Sequence, residues 1–74
     1  MRYWIDFISR HHNIEQLTGD SIKIPCIGFD ENHRELDHVI TAHEGYYTVN
    51  EYYHDTGEYV TMWEEQSIKE YLGY

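Results

Sequence analysis

Residues 46–63 read YYTVNEYYHDTGEYVTMW and carry the clearest structural signal in the chain. Two runs rich in Tyr, Thr and Val flank Asp55-Thr56-Gly57, and Gly57 can adopt the positive φ that a three-residue hairpin loop requires. The stretch therefore predicts a β-hairpin. The predicted register pairs His54 with Glu58, Tyr53 with Tyr59, Glu51 with Thr61, and Val49 with Trp63.

Aromatic side chains occupy both faces of this predicted hairpin. One face carries Tyr47, Val49, Tyr53, Tyr59 and Trp63, and the other carries Tyr46, Tyr52, Val60 and Met62. Because the rings lie on both faces, one face is expected to pack inside the domain and the other to contact a partner. A slip of one residue in the pairing would exchange the two sets.

Two further strands are predicted upstream of the hairpin. Over residues 21–29, apolar residues recur at every second position as far as Cys26, which predicts a strand that holds a buried, inert thiol. Pro25 has no N–H to donate to a neighbouring strand, so this strand is expected at an edge of the sheet. Residues 35–42 also alternate and predict another strand, with Leu36, His38, Ile40 and Ala42 on one face and Asp37, Val39 and Thr41 on the other.

The two ends of the chain complete the prediction. Residues 2–8 are rich in strand-favouring types, although a helical spacing also fits; we predict a strand over 2–8 and a short helix near 13–18. Residues 64–72 predict a helix that Gly73 ends. The fold class is therefore α+β: an antiparallel meander of four or five strands, a short C-terminal helix and a second short helix in the N-terminal half. The residues at helical spacing near the N-terminus are Trp4, Phe7, His11, Ile14 and Leu17.

The length of 74 residues predicts a single compact domain over 1–74. A domain of this size buries only about 60–65% of its unfolded surface, so its stability margin is thin. Cys26 is the sole cysteine and has no partner for an internal disulfide. A core built from the eight Tyr, two Trp and two Phe, or a homodimer, would supply the missing stability.

The formal charge of −9 is confined to one part of the chain. Residues 1–29 have no net charge, whereas residues 30–74 hold eleven acids against Arg34 and Lys69. Such a surface repels nucleic acid and anionic membranes and attracts basic surfaces. Direct binding to nucleic acid or to a membrane is therefore not expected.

The six histidines form no recognisable metal-binding pattern. His11 and His12 are adjacent and diverge on either a helix or a strand. His33, His38 and His43 recur every five residues, which fits neither element, and no Cys-x-x-Cys or His-Glu-x-x-His motif is present. Convergence of distant residues on a metal stays open as an alternative. We predict no metal site and no cofactor.

Catalytic motifs are also missing from the sequence. None of the three serines lies in a Gly-x-Ser-x-Gly elbow, and the glycines are isolated, with no phosphate-binding loop. Carboxylate pairs are plentiful, but a domain this small rarely encloses a substrate cleft. The protein is therefore expected not to be an enzyme and to have no catalytic residues. No run resembles a signal peptide or a transmembrane helix, which predicts a cytoplasmic protein.

The charge pattern leads to the main functional hypothesis, an inhibitor that imitates nucleic acid. Carboxylates two apart on a strand are separated by roughly 7 Å, comparable to phosphates along a DNA strand. The partner would be a basic DNA- or RNA-handling protein, as for viral host-takeover and anti-defence factors. The carboxylates expected to take part are Asp30, Glu31, Glu35, Asp37, Glu44, Glu51, Asp55, Glu58, Glu64, Glu65 and Glu70.

The alternative hypothesis is a protein-interaction module anchored by aromatic rings. Tyr and Trp dominate the energetics of many interfaces when they are buried there. Tyr52, Tyr53 and Tyr59 of the hairpin are the residues expected to contact the partner. That partner would be a toxin neutralised by an immunity protein, or a second copy of the chain. Salt separates the two hypotheses, because screening weakens the first interaction and barely affects the second.

Overall fold

A computed structural model describes residues 3–74. Five strands form one antiparallel sheet in the order β1-β2-β3-β4-β5, so each strand pairs with its neighbour in sequence. The predicted α+β class is confirmed, with a five-stranded meander and one short helix at each end of the described range. The elements are α1 (Tyr3–Ser9), β1 (Glu15–Thr18), β2 (Ser21–Phe29), β3 (Glu35–Ala42), β4 (Tyr47–Tyr53), β5 (Tyr59–Glu65) and α2 (Ile68–Leu72).

Both helices pack on the same face of the sheet. Ile22, Ile40 and Val49 lie side by side in the register of β2, β3 and β4, and all three are fully buried. Ile5 and Ile8 of α1 and Ile68 of α2 join them in one core. We call this the covered face. The opposite, open face carries Lys23, Val39, Asn50 and Met62 in one row across four strands.

The prediction of a strand over residues 2–8 is wrong for the residues that the structure describes; residue 2 lies outside them. α1 forms there because Trp4, Ile5 and Ile8 share one side of a helix and bury that side in the core. In a strand, Ile5 would point to the face opposite Trp4 and Ile8. The helix predicted near 13–18 is also wrong, since Glu15–Thr18 is the exposed edge strand β1.

The strand predicted over 21–29 is confirmed as β2, but two details differ. β2 lies between β1 and β3, so the expected edge position is wrong; Pro25 lies beyond the part of β2 that pairs with β1. Ile24 pairs with His38 and Gly28 pairs with Leu36, so three residues of β2 bulge opposite Asp37 alone. Within this bulge Cys26 has φ 55° and is exposed, which contradicts the predicted buried thiol.

The 46–63 hairpin is confirmed, with a different register near its turn. Val49 pairs with Trp63 and Glu51 pairs with Thr61, as predicted. Beyond them a bulge in β5 pairs Tyr59 with Tyr52 rather than with Tyr53. The Gly57 N–H donates to the Tyr53 carbonyl at 2.7 Å, so the turn is one residue longer than predicted. The bulge therefore moves Tyr59 to the open face.

The predicted pair of His54 and Glu58 is wrong for the same reason. Glu58 accepts from the Tyr53 N–H at 2.9 Å, whereas the His54 N–H donates to the Glu35 carbonyl at 2.9 Å. His54 is thereby attached to the start of β3 rather than to its own hairpin partner strand.

The C-terminal helix is shorter than predicted. Glu64 and Glu65 belong to β5, and α2 begins after Ser67, whose Oγ accepts from the Glu70 N–H at 3.1 Å as an N-cap. Gly73 ends the helix with φ 85°, as expected. None of the helices within residues 3–74 has the length and apolar character needed to cross a membrane.

Candidate functional site

The β2–β3 and β4–β5 loops lie at the same end of the meander. Together with the start of β3, they bring together seven of the predicted partner-binding residues. Arg34 and Lys23 contact this group, which leaves an excess of negative charge. We call this region the acidic end. Its carboxylates are Asp30, Glu31, Glu35, Asp37, Asp55 and Glu58, and it also contains Tyr53.

Asp30 organises the β2–β3 loop. Its carboxylate accepts from the backbone N–H of Asn32 at 2.8 Å and of Arg34 at 2.9 Å, and from the Tyr53 hydroxyl at 3.0 Å. These hydrogen bonds, the one from Arg34 first, hold the pKa of Asp30 below its usual value. Between them His33 adopts a left-handed φ of 62°. Asp30 therefore stabilises the conformation of the β2–β3 loop.

The lowered pKa of Asp30 predicts a loss of stability in acid. A carboxyl whose pKa is lower in the folded protein stabilises it above the unfolded pKa of about 3.8, and this contribution is lost as pH falls through the folded pKa. The variant Asp30→Asn keeps an acceptor oxygen without the titrating charge. We expect its free energy of unfolding to fall less between pH 5 and pH 2 than that of the wild type, measured by urea denaturation at each pH. Equal pH dependence of the two proteins would contradict this role.

Arg34 is held inside the acidic end. Its guanidinium carbon lies 3.6 Å from the centre of the Tyr53 ring, and its Nη2 contacts Asp55 Oδ1 at 3.0 Å. The hydrogen bond from Arg34 lowers the pKa of Asp55. Since both groups are partly or largely exposed, the pair contributes little to stability. It fixes the β4–β5 loop against the β2–β3 loop and leaves Glu31, Glu35 and Glu58 exposed.

Asp37 is the buried member of the acidic end and is only 3% exposed. Its Oδ1 accepts from the Cys26 N–H at 2.9 Å and contacts His54 Nδ1 at 2.8 Å, while Lys23 Nζ lies 3.5 Å from Oδ2. Burial raises the pKa of Asp37, but the Cys26 N–H, His54 and Lys23 together lower it more. Asp37 is therefore an ionised anchor that connects β2, β3 and the β4–β5 loop.

Two of the predicted contact tyrosines lie on the open face beside the acidic end. Asp37, Tyr52 and Tyr59 follow one another across β3, β4 and β5. The rings of Tyr52 and Tyr59 meet edge to face with centroids 6.0 Å apart. Tyr59 is 57% exposed, and Met62 on the same strand is 46% exposed. An aromatic and apolar area therefore adjoins the carboxylates.

Several predicted residues lie away from the acidic end. Glu44 occupies the β3–β4 turn at the opposite end, and Glu64 pairs with Thr48 near it. Glu51 and Glu65 accept from side chains on the covered face, and Glu70 lies in α2. The eleven carboxylates thus do not form one continuous surface.

A half-buried polar network on the covered face was not predicted from the sequence. His38 lies between two partners: Nε2 is 2.9 Å from Glu51 Oε2 and Nδ1 is 2.6 Å from the Tyr71 hydroxyl. A neutral His38 satisfies both when Nε2–H donates to Glu51 and Nδ1 accepts from Tyr71. Burial, then the charges of Glu51 and Glu65, raise the pKa of Tyr71, so its hydroxyl stays protonated. The alternation of residues 35–42 places His38 on one face with Leu36, Ile40 and Ala42 and does not identify its partners.

This network borders a cleft of about 310 Å³ between β5, α2 and the segment after α1. Trp63 contacts the ring of His38 edge to face, and its Nε1 donates to Glu65 at 2.9 Å. The polar side-chain atoms of the network thus form hydrogen bonds with one another. The network therefore resembles a structural element more than a reactive centre.

The sequence matches no known family model, and searches of curated proteins and of solved structures likewise find no match.

Proposed function

We propose that this protein binds a basic surface of another protein through its acidic end, and that it inhibits or modulates a DNA- or RNA-handling partner by occupying the surface that nucleic acid would use. The observation that carries the proposal is the convergence of six carboxylates on two neighbouring loops and the start of β3. Glu31, Glu35 and Glu58 are exposed there. A cluster of one sign favours and accelerates encounter with the opposite sign.

The net charge also argues against direct binding of the protein to nucleic acid. A net charge of −9 opposes direct binding to nucleic acid, whose affinity for proteins depends on cations that neutralise phosphates. In the proposal the protein is not an enzyme, needs no cofactor for this role and works in the cytoplasm, where the exposed thiol of Cys26 stays reduced. Such a role suits a virus-type host-takeover or anti-defence factor.

The experiment that tests the proposal uses two double variants with equal charge changes. Glu31→Gln with Glu58→Gln removes two charges from the acidic end, and Glu44→Gln with Glu64→Gln removes two charges from the opposite end; all four residues are exposed. Basic proteins are captured on the wild type at low salt, and their elution by duplex DNA is recorded. We expect the first variant to bind such a partner about 3- to 10-fold more weakly and the second to change affinity less than about 2-fold.

Two results would contradict the proposal. One is an equal loss of affinity in both variants, which would show that only the total charge matters. The other is binding that persists at about 0.5 M salt and that DNA does not compete, because screening at that concentration removes most of the attraction between exposed charges.

The open face supports a second candidate, an aromatic-anchored interface with a toxin or with a second copy of the chain. The exposed ring of Tyr59 contacts Tyr52, and the exposed Met62 lies on the same strand as Tyr59, on the face that neither α1 nor α2 covers. This candidate predicts the opposite salt response. Binding that survives high salt and is lost in Tyr59→Ala would favour it, and a molar mass that doubles with concentration would identify the partner as a second copy.

A further inference from the structure

The bulge in β2 places the thiol of Cys26 beside the carboxylate of Asp37 and the imidazole of His54, so three different kinds of metal ligand lie together. Cys26 Sγ, a carboxylate oxygen of Asp37 and a ring nitrogen of His54 all lie within 4.8 Å of one another. The three residues come from β2, from β3 and from the segment after β4. Asp37 lies 11 residues after Cys26 and 17 residues before His54, so no short motif connects them.

These donors match the preferences of one class of metal ion. Thiolate and imidazole together select borderline-soft transition metals such as Zn²⁺, whereas Mg²⁺ and Ca²⁺ prefer sites made of oxygen alone. Ligand atoms of a tetrahedral zinc site are roughly 3.5 Å apart, which follows from metal–ligand distances of about 2.0–2.3 Å. The observed separation of up to 4.8 Å is within reach of this value by rotation of the exposed His54 and Cys26 side chains.

We propose that Cys26, Asp37 and His54 form a Zn²⁺-binding site that joins the β2 bulge to the β4–β5 loop. The fourth position is open to water. This proposal is independent of the basic-partner hypothesis, since it concerns an ion and not a macromolecule.

Neighbouring groups already orient the central ligand. The Cys26 N–H donates to Asp37 Oδ1 at 2.9 Å, and Lys23 Nζ lies 3.5 Å from Oδ2, so the carboxylate is held from two sides. Second-shell contacts of this kind fix ligands in metal sites. Asp37 is 3% exposed, whereas the His54 side chain is 44% exposed. A cation can therefore reach the site from solvent while its central ligand stays in place.

The bulge is the feature that makes the site. In a regular strand Cys26 would lie on the covered face with Ile22 and Ile24, because side chains alternate with a period of two. With φ 55° at Cys26, the thiol approaches Asp37 on the open face, while Ile27 packs against the core instead. A left-handed φ at a residue other than Gly is sterically unfavourable. Such strain at an exposed thiol is consistent with a role that needs its position.

The test begins with Co²⁺ titrated into the reduced full-length chain. Cobalt bonded to a thiolate produces a charge-transfer band in the near ultraviolet that carboxylates and imidazoles do not produce. Because Cys26 is the sole cysteine, this band can arise only from Cys26. We expect the band to appear with one equivalent of Co²⁺ and to disappear when Zn²⁺ displaces it. The expected Kd for Zn²⁺ is about 1 µM or tighter, weaker than that of a closed four-ligand site.

Variants then distinguish Zn²⁺ binding at this site from general attraction of cations to the acidic end. Cys26→Ser should abolish the band, and His54→Gln should weaken Zn²⁺ binding at least about 10-fold, measured by calorimetry. The matched controls are His33→Asn and Glu31→Gln, two exposed residues of the same end outside the three-ligand cluster. Both should bind Zn²⁺ within about 2-fold of the wild type.

Two outcomes would overturn the proposal. The first is the absence of a charge-transfer band in the wild type at saturating Co²⁺, a measurement that needs no variant to fold. The second is an equal reduction of affinity in His54→Gln and in Glu31→Gln, which would reduce the site to diffuse electrostatic binding.

Discussion

Replacing Ile40 with Ala is expected to remove a large share of the protein's free energy of unfolding at 25 °C. Ile40 is fully buried in the central strand β3, between Ile22 and Val49 of the neighbouring strands. Truncating such a side chain costs about 2–5 kcal/mol, through lost transfer energy and the cavity that remains. Domains are stable by about 5–15 kcal/mol, and one of 74 residues belongs near the lower limit.

The measurement is urea denaturation followed by far-ultraviolet circular dichroism. Ile40→Val removes one methylene from the same site and should cost about 0.5–1.5 kcal/mol. Met62→Ala removes an apolar side chain of the open face that is 46% exposed, and its effect should stay within about 1 kcal/mol. If Ile40→Ala were no more harmful than Met62→Ala, the covered face would not be the core of the domain.

Asp37→Ala is expected to destabilise the protein by about 2–4 kcal/mol, the second largest effect. The substitution removes the acceptor of the Cys26 N–H and the partner of His54 and Lys23 at one buried point. A buried N–H left without an acceptor costs about 1–3 kcal/mol, and hydrogen bonds to a charged group contribute about 1.5–3 kcal/mol. His54 and Lys23 can regain water because both are partly exposed, which keeps the loss below that of a fully buried pair.

Asp37→Asn separates the two contributions. The amide oxygen can still accept from the Cys26 N–H, so about half of the loss should be recovered in thermal or urea denaturation. Asp55→Ala is the matched surface control, because its pair with Arg34 is exposed and should contribute little to stability. A loss for Asp37→Ala no larger than for Asp55→Ala would show that Asp37 does not anchor the acidic end.

The elements that the sequence predicts well are those that one local pattern decides. The strands over 21–29 and 35–42 and the hairpin over 46–63 alternate with a period of two and are bounded by turn residues, and all of them form. Gly57 and Gly73 take the positive φ values expected of a turn and a helix end. At these positions local preference and tertiary packing agree.

The N-terminal segment shows where local preference fails. Residues 3–9 are rich in strand-favouring types, yet they form α1, because a helix gathers Trp4, Ile5 and Ile8 onto the side that packs against the sheet. The four residues of β1 are exposed, and they are extended because their backbone pairs with β2. Strand propensity reflects fit to a surface, and that surface exists only once the fold has formed.

Four features can be read from the sequence alone: the α+β class, the antiparallel meander, the concentration of negative charge after residue 29 and the aromatic content of the hairpin. Which carboxylates meet depends on which loops share an end of the sheet, and this follows from the three-dimensional packing of the strands. The same packing decided the two bulges, which moved Cys26 and Tyr59 to the open face. The bulge in β5 adds one residue and so exchanges the faces on its two sides, whereas the bulge in β2 adds two residues and leaves Ile24 and Gly28 on the same face. The position of each bulge follows from packing against neighbouring strands rather than from any pattern within the strand itself.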